Sequence, residues 1–448
     1  MDSVADRNTL SEADIRKVAF ASAIGCTIEW YDFFLYNTFA ALVFNKLFFP
    51  SFDPLIGTML AYTTALVGFI ARPVAGVIFG HFGDRIGRKK MLILTLLIMG
   101  VGTFLIGLLP TYQTVGVWAP ILLLLLRIAQ GLGIGGEWGG AVLMAVEHSP
   151  KGRRGFYGSW PQMGVPAGLA LATGMVALLT ALPGDTFIQW AWRIGFLVSA
   201  VLVAIGIYIR LKIMETPAFL RVQQTRSVAR VPFMDLLRNH TKEVLLGMGC
   251  RYIEGVVFNV YGVFVITYLA VALNAPKTTA LLGVTLASVV MLFFIPTFGR
   301  LSDRLGRKKV FGWGALLSGL AGFPAFWLMS TSFHSPWLVA LAIVIPFGLI
   351  YAAVYGPEAA LFSELFDTRV RYSGISFVYQ FSGIFASGLT PIIATALLRQ
   401  GGGQPWLVAG YMLVVGLIST ISVMVLKESV HADIAAPVGG FAAQQRRA

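Results

Sequence analysis

Charge is scarce in this chain: Asp, Glu, Lys and Arg make up 12% of its 448 residues, about half the share of an ordinary soluble domain. Cysteine is nearly missing. Cys26 and Cys250 stand alone inside apolar segments, with no spacing that resembles a metal or redox motif, and no function is assigned to them. The five histidines form no cluster, so a metal site and a nucleophile–His–Asp enzyme both lack their residues. No G-x4-G-K-[ST] loop is present to cradle a nucleotide. No enzyme, no metal and no organic cofactor is therefore expected.

What fills the chain instead is apolar. Hydrophobic residues make up 57% of it, and the mean hydropathy is +0.77. Runs such as "ILLLLLRIAQGLGIGG" and "FLVSAVLVAIGIYI" are too many for one core to absorb, and about 20 apolar residues cross a bilayer as a helix. Apolar segments fall at 18–46, 55–82, 91–110, 117–147, 155–182 and 189–212, then at 243–272, 278–299, 310–331, 336–364, 373–399 and 404–427. The expected fold is an all-α membrane protein of twelve transmembrane helices in two bundles, 18–212 and 243–427. The polar segment 213–242 is the linker between them, and 1–17 and 428–448 are the tails. The first tail has no apolar core or cleavage site, so the first span is expected to direct insertion itself.

Lys and Arg set the orientation. With both termini cytoplasmic, only Lys46, Arg193, Lys277 and Arg399 fall outside, and Arg72, Arg127 and Arg251 fall within spans. The net charge of +13 then faces the anionic inner leaflet of the lipid bilayer, and nucleic acid is not an expected partner. The chain also repeats itself. Asp84 and Asp303, Glu147 and Glu364, and Gln162 and Gln380 are each separated by 217 to 219 residues. Internal repeats of this kind build secondary transporters, whose substrate site lies near the midplane between the repeats.

The most conspicuous repeat is a charged word between apolar segments, "GHFGDRIGRKK" at 80–90 and "GRLSDRLGRKK" at 299–309. It resembles the loop motif of the major facilitator superfamily. With "EWYDF" at 29–33, "FIARPVAG", "METPAF" and "RIAQGLGIGGEWGGA" at 127–141, the chain resembles that superfamily's metabolite–proton symporter branch along essentially its whole length. The residues explain part of the word directly: Gly80 and Gly83 permit close helix approach, Asp84 suits a helix N-terminus, and Gly87 permits the turn. The resemblance implies more. The loop Asp and Arg would bond to acidic helix ends and to the opposite half, closing a cytoplasmic gate from Asp84, Arg88 and Glu147 and its repeat Asp303, Arg307 and Glu364. Plain membrane anchoring explains the Lys and Arg of the word but not its paired Asp and Gly. Gly131, Gly133 and Gly136 also match a dinucleotide fingerprint, but they lie inside an apolar helical segment, where glycines serve helix packing.

Several charges sit where charge is costly, on the order of 3 kcal/mol at the centre of a span: Glu29, Asp32, Arg72, Arg127, Glu137, Arg251, Glu254 and Glu358. Glu29, Asp32 and Tyr36 share one helix face. The Tyr31–Asp32 pair resembles the proton-binding position of sugar-porter relatives, whose partner arginine matches Arg127. That resemblance implies Asp32 as proton carrier, Arg127 as its regulator and Glu29 as second choice. Burial raises a carboxylate's affinity for protons and a nearby cation opposes it. Arg72 precedes Pro73 and is read equally well as a brace for a helix kink.

Arg251 and Glu254 are neighbours on the seventh segment, with Asn259 and Tyr261 further along. A similar Arg-x-x-Glu in family members that take shikimate-like monocarboxylates implies an anionic substrate. The expected binding set is Arg251, Glu254, Arg127, Tyr36, Gln162, Gln380, Asn259, Tyr261, Glu137 and Glu358. The expected function is import of a small organic acid with a proton, the proton being the only coupling agent, by a monomer of the inner or plasma membrane. The alternative is a zwitterion such as proline or betaine. Osmosensing relatives of that kind carry a C-terminal coiled coil, and 428–448 shows no heptads.

Overall fold

The computed structural model describes residues 12–39, 43–50, 54–180, 182, 185–212, 232–275, 277–368 and 370–428. Among them the secondary structure is helical, with no strand. The long helices of the first half are α1 (Glu12–Phe39), α2 (Pro54–Ile86), α3 (Arg88–Leu108), α4 (Trp118–Glu147), α5 (Arg154–Thr180) and α6 (Phe187–Leu211). Those of the second are α7 (Thr241–Thr267), α8 (Lys277–Leu305), α9 (Arg307–Thr331), α10 (Pro336–Ser363), α11 (Arg371–Gln400) and α12 (Trp406–Val425). Eleven of the described helices are long and apolar enough to cross a membrane. The remaining long helix, α2, runs for 33 residues, and most of its first-half side chains lie outside the described set. Their outer faces remain apolar, with Leu178, Phe293, Trp313 and Trp337 among the exposed large side chains, as expected of surfaces that face lipid rather than water.

The halves pack with matching neighbours. In the first, α1 lies on α5, α2 on α4 and α3 on α4; in the second, α7 lies on α11, α8 on α10 and α9 on α10. The halves meet through α2 against α11 and, in the equivalent arrangement, α8 against α5. The interval read in the sequence is thus expressed in helix packing.

Glycines decide how near these helices come. A Cβ at Gly131 would lie 2.3 Å from the Gly68 carbonyl oxygen, and one at Gly135 would lie 2.4 Å from that of Arg72. The glycine run on α4 is therefore the contact surface for α2, and it fixes the height of Arg72 beside the bundle axis. In the charged words, Gly87 has φ 116° and Gly306 φ 99°, a backbone region that side chains other than glycine's disfavour. Each allows the chain to leave one long helix and begin the next within a single residue.

π-helical turns interrupt α7 at Val260–Phe264 and α11 at Ile384–Gly388. Such turns often mark functional sites, and both adjoin the cavity described below. Replacing Gly135 by Val should lower the stability of the detergent-solubilised protein, because overpacking typically costs about 1–3 kcal/mol. The check is the thermal unfolding midpoint, which should fall by several degrees; an unchanged midpoint would mean that α2 and α4 are not in contact there.

Candidate functional site

Between the halves lies a small central cavity lined by Trp30, Phe33, Arg72, Val165, Arg251, Glu254, Phe258, Asn259, Tyr355, Tyr379, Gln380, Gly383 and Ser387. Its open space is about 30 Å3, far below the ~300 Å3 and upward of ordinary ligand pockets, so a metabolite fits only when the halves part. The lining is apolar and aromatic, with a few charges set into it. Arg72 comes from the first half and Arg251 from the second.

Arg251 is held on several sides. It forms an ion pair with Glu254, its guanidinium carbon lies 4.1 Å from the Tyr379 ring centroid, and its Nε lies 3.8 Å from Glu358 Oε1. The Tyr351 hydroxyl donates to Glu254 Oε1 at 2.7 Å. Glu358 is fully buried, and neither of its oxygens accepts a hydrogen bond among the described residues. Tyr379 stacks on Trp138 at 3.7 Å, and the Trp138 indole N–H donates to Gln162 Oε1 at 2.7 Å. Gln162 in turn donates to the Tyr355 carbonyl at 3.2 Å, and Gln380 donates to the Ile134 carbonyl at 3.4 Å. Each glutamine thus bridges the two halves.

On α1, Asp32 is buried and neither of its oxygens accepts a hydrogen bond among the described residues; the same is true of Glu29 Oε2. Arg127 makes no ion pair with Asp32. Its guanidinium sits 4.0 Å over the Tyr36 ring and donates to Gln130 Oε1 at 3.1 Å, and the Gln130 amide donates to Thr103 Oγ1 at 2.6 Å. The Tyr36 hydroxyl meets Thr64 Oγ1 at 2.5 Å. Arg72 lies over Phe33, 4.8 Å from its centroid. Away from the charged words, Trp30 and Phe34 of α1 pack on Phe258 of α7 at 6.2 and 5.8 Å, and Phe258 packs on Phe347 of α10 at 5.5 Å. Trp30 and Phe258 belong to the cavity wall, so these rings join α1, α7 and α10 beside it.

The charged words tie the two halves together by a reciprocal device. Asp84, at the end of α2, accepts from the backbone N–H groups of Tyr372 and Ser373 at 3.3 and 3.0 Å and from the Ser373 hydroxyl at 2.9 Å. Asp303, at the end of α8, accepts from the backbone N–H groups of Gly155 and Phe156, both at 2.9 Å. Each carboxylate therefore caps the first turn of a helix in the opposite half, where unpaired N–H groups and the helix dipole favour negative charge. Two buried cations add to this. Arg371 donates to Glu147 Oε1 at 3.0 Å, and Arg154 lies 3.5 Å from Glu364; both pairs cross between the halves. Arg307 stays within its half, donating to both Glu364 oxygens at 3.2 Å and lying 2.8 Å from Asp303.

Family profiles match both halves: one described as Sugar (and other) transporter over residues 18–243, and one described as Major Facilitator Superfamily over 246–440. This chain belongs to the major facilitator superfamily. The facilitator is 39% identical to the shikimate transporter of Escherichia coli (strain K12) over 430 residues, 95% of this chain and 98% of that one. It is 33% identical to the proline/betaine transporter of the same strain over 436 residues, 95% of this chain and 86% of that one. Among solved structures it resembles the proton:xylose symporter XylE bound to 6-bromo-6-deoxy-D-glucose, with a TM-score of 0.76 and 15% identity over 94% of this chain and 97% of that one. It is therefore a transporter rather than an enzyme, and a multi-pass protein of the cell membrane.

Of the residues expected at the facilitator's substrate site, Arg251, Glu254, Asn259 and Gln380 line the cavity, and Glu358 stands behind Arg251. Others lie elsewhere. Glu137 forms a buried ion pair with Arg210 of α6 and accepts from Thr95 at 3.1 Å, a bond internal to the first half. Arg210, at the end of the sixth apolar segment, is almost fully buried. Tyr261 stacks among Phe326 and Phe347 inside the second half. Tyr36 and Arg127 pair with each other beside the cavity rather than in its wall, and Gln162 reaches the other half's backbone. The Arg88 side chain lies outside the described residues.

Sequence reasoning also missed residues. Arg72 contributes to the cavity wall, and so do the aromatic residues Trp30, Phe33, Phe258, Tyr355 and Tyr379, none of which stood in the expected binding set. Arg154 and Arg371 carry the gate's cross-half ion pairs. One signal could have found them: each follows its glutamate by seven residues, in "EHSPKGRR" and "ELFDTRVR".

Replacing Asp84 by Asn puts a donating amide against the N–H groups of Tyr372 and Ser373 and removes the charge that faces the helix dipole. This end should then open more often. A reporter cysteine on the cavity side of the gate should react several-fold faster with a water-soluble maleimide in Asp84→Asn than in the parent; equal rates together with normal turnover would remove Asp84 from the gate.

Proposed function

We propose that this facilitator imports a small organic acid anion together with a proton. Transport would run by alternating access across twelve spans, with both termini cytoplasmic. The two bundles, 18–212 and 243–427, then rock about a central site, joined by the 213–242 linker, and the transporting unit is the monomer. One observation carries the anionic substrate: Arg72 and Arg251, from opposite halves, line the same cavity. A carboxylate between them would draw the halves together, and the planar guanidinium fork binds carboxylates bidentately in a way an ammonium cannot reproduce. The similarity to the shikimate transporter favours a hydroxylated or cyclic monocarboxylate.

Proton coupling is assigned first to Asp32, with Glu29 as second choice and Arg127 as the cation that tunes it. The support is geometric: Asp32 is a buried carboxylate whose oxygens accept no hydrogen bond among the described residues, and it stands next to the wall residue Phe33 and two residues from Trp30. An ionised carboxylate left so would be strongly disfavoured.

The same wall also favours a second reading. Trp30, Phe33, Phe258 and Tyr379 could face a quaternary ammonium while an arginine takes its carboxylate, which suits a betaine and matches the relatives that carry proline and betaine.

Uptake into proteoliposomes separates the readings. Shikimate and related monocarboxylates should accumulate under an inward-directed proton gradient, whereas proline and glycine betaine should not; the reverse result would establish the zwitterion. Arg72→Lys and Arg251→Lys should each weaken binding of the transported acid more than tenfold while the protein still folds, since a lost partner for a buried charge costs several kcal/mol. Restoration of parental binding in the double variant Arg251→Gln, Glu254→Gln would instead reduce Arg251 to a counter-ion.

For the proton, Asp32→Asn should abolish uphill uptake and leave substrate counterflow running. Uphill uptake that survives would move the assignment to Glu29.

A further inference from the structure

Glu358, expected in the binding set, is a buried acid that does not line the cavity but stands behind Arg251. It lies on α10 with no exposed surface, and neither oxygen accepts a hydrogen bond among the described residues. Its neighbours are few. From α7 it is faced by Arg251, which also holds Glu254, and by the Cys250 thiol; from α11 it is faced by Tyr379, and on its own helix by Tyr351 and Tyr355. Arg251, at 3.8 Å, is the only cation that acts on it among the described residues.

Arg251 is already engaged. It pairs with Glu254, whose other oxygen accepts from Tyr351, so both oxygens of Glu254 are engaged. One guanidinium thus serves two glutamates, and Glu358 holds the weaker claim. An anion that docks on Arg251 from the cavity adds a third negative charge to the same cation. In a water-poor interior this arrangement is unfavourable unless one carboxylate is neutralised.

We propose that Glu358 is a second proton site, one that takes up a proton when the substrate anion binds to Arg251. The proposal rests on the reading of Arg251 as the anion's anchor. The event balances in charge: the anion brings one negative charge to Arg251, and one proton from the medium forms the O–H bond of the Glu358 acid. Release reverses both. The two halves would then each hold one proton acceptor, Asp32 in the first and Glu358 in the second, with the second directly linked to substrate occupancy through a shared cation.

The test is proton uptake on binding, measured with a pH-indicator dye in weakly buffered detergent solution of the full chain, with shikimate as the probe. The parent should take up protons as shikimate binds, and its dissociation constant should rise with pH. Glu358→Gln should still bind, take up one proton fewer per shikimate, and lose one tenfold change in affinity per pH unit over the range where the parent shows it, because binding and protonation are reciprocally linked. Unchanged uptake and an unchanged pH slope in a variant that binds would overturn the proposal while leaving the anion reading intact. A parent that binds neither shikimate nor related monocarboxylates would overturn the anion reading, and this proposal with it. Should Glu358→Gln fail to fold, infrared difference spectra of the parent and of Glu358→Asp read the same event. A protonated-carboxyl band should appear on binding and shift in Glu358→Asp, and a band that does not move would place the proton elsewhere.

Discussion

Two carboxylates, each capping a helix that belongs to the other half, hold this molecule in the shape observed. Asp84 sits on the first turn of α11 and Asp303 on the first turn of α5. Neither bond is large alone, but each satisfies N–H groups that no other backbone could satisfy at a helix start. The bonds lie between the two halves rather than within one, so the proposed alternating access would have to make and break them. The close approach of α2 to α11, the burial of Arg371 and Arg154, and the narrowness of the central cavity all follow from this closure.

The interior charges divide into two populations. Glu137 with Arg210, Glu147 with Arg371, and Glu364 with Arg307 and Arg154 are matched pairs, well served by hydrogen bonds or close contacts. Around the cavity the matching is poorer: Asp32 and Glu358 have no donor among the described residues, and Arg251 is divided between two glutamates. The first population fixes architecture. The second is what the proposed proton-coupled transport would require, since groups already satisfied have little reason to exchange a proton or meet a substrate. Aromatic rings line much of the same cavity without adding charge.

How much of this was legible in the sequence depends on the kind of contact. Membrane class, helical architecture and the repeat rest on local runs and on intervals, and they were read directly. The loop residues Asp84 and Asp303 were flagged through their motif, although the helix starts they cap were not named. Glu137 was expected in the binding set, and its pairing with Arg210, 73 positions away at the end of the sixth apolar segment, leaves no local signal in the sequence. Arg72 was left undecided because its sequence neighbour, Pro73, offered a structural reason of its own. Trp30, Phe33 and Tyr379 were passed over because an aromatic in an apolar span looks the same whether it faces lipid, a neighbouring helix or a cavity.

The sequence by itself determined that the chain is an apolar helical repeat protein with a charged word at equivalent points of both halves, because hydropathy, charge bias and repeat interval are properties of position along the chain. Only the tertiary structure decided which charges neutralise one another and which are left over. A buried charge is stabilised by whatever lies within a few ångströms, and in a bundle of long helices those neighbours come from other helices, often from the other half, at distances along the chain that no local pattern records.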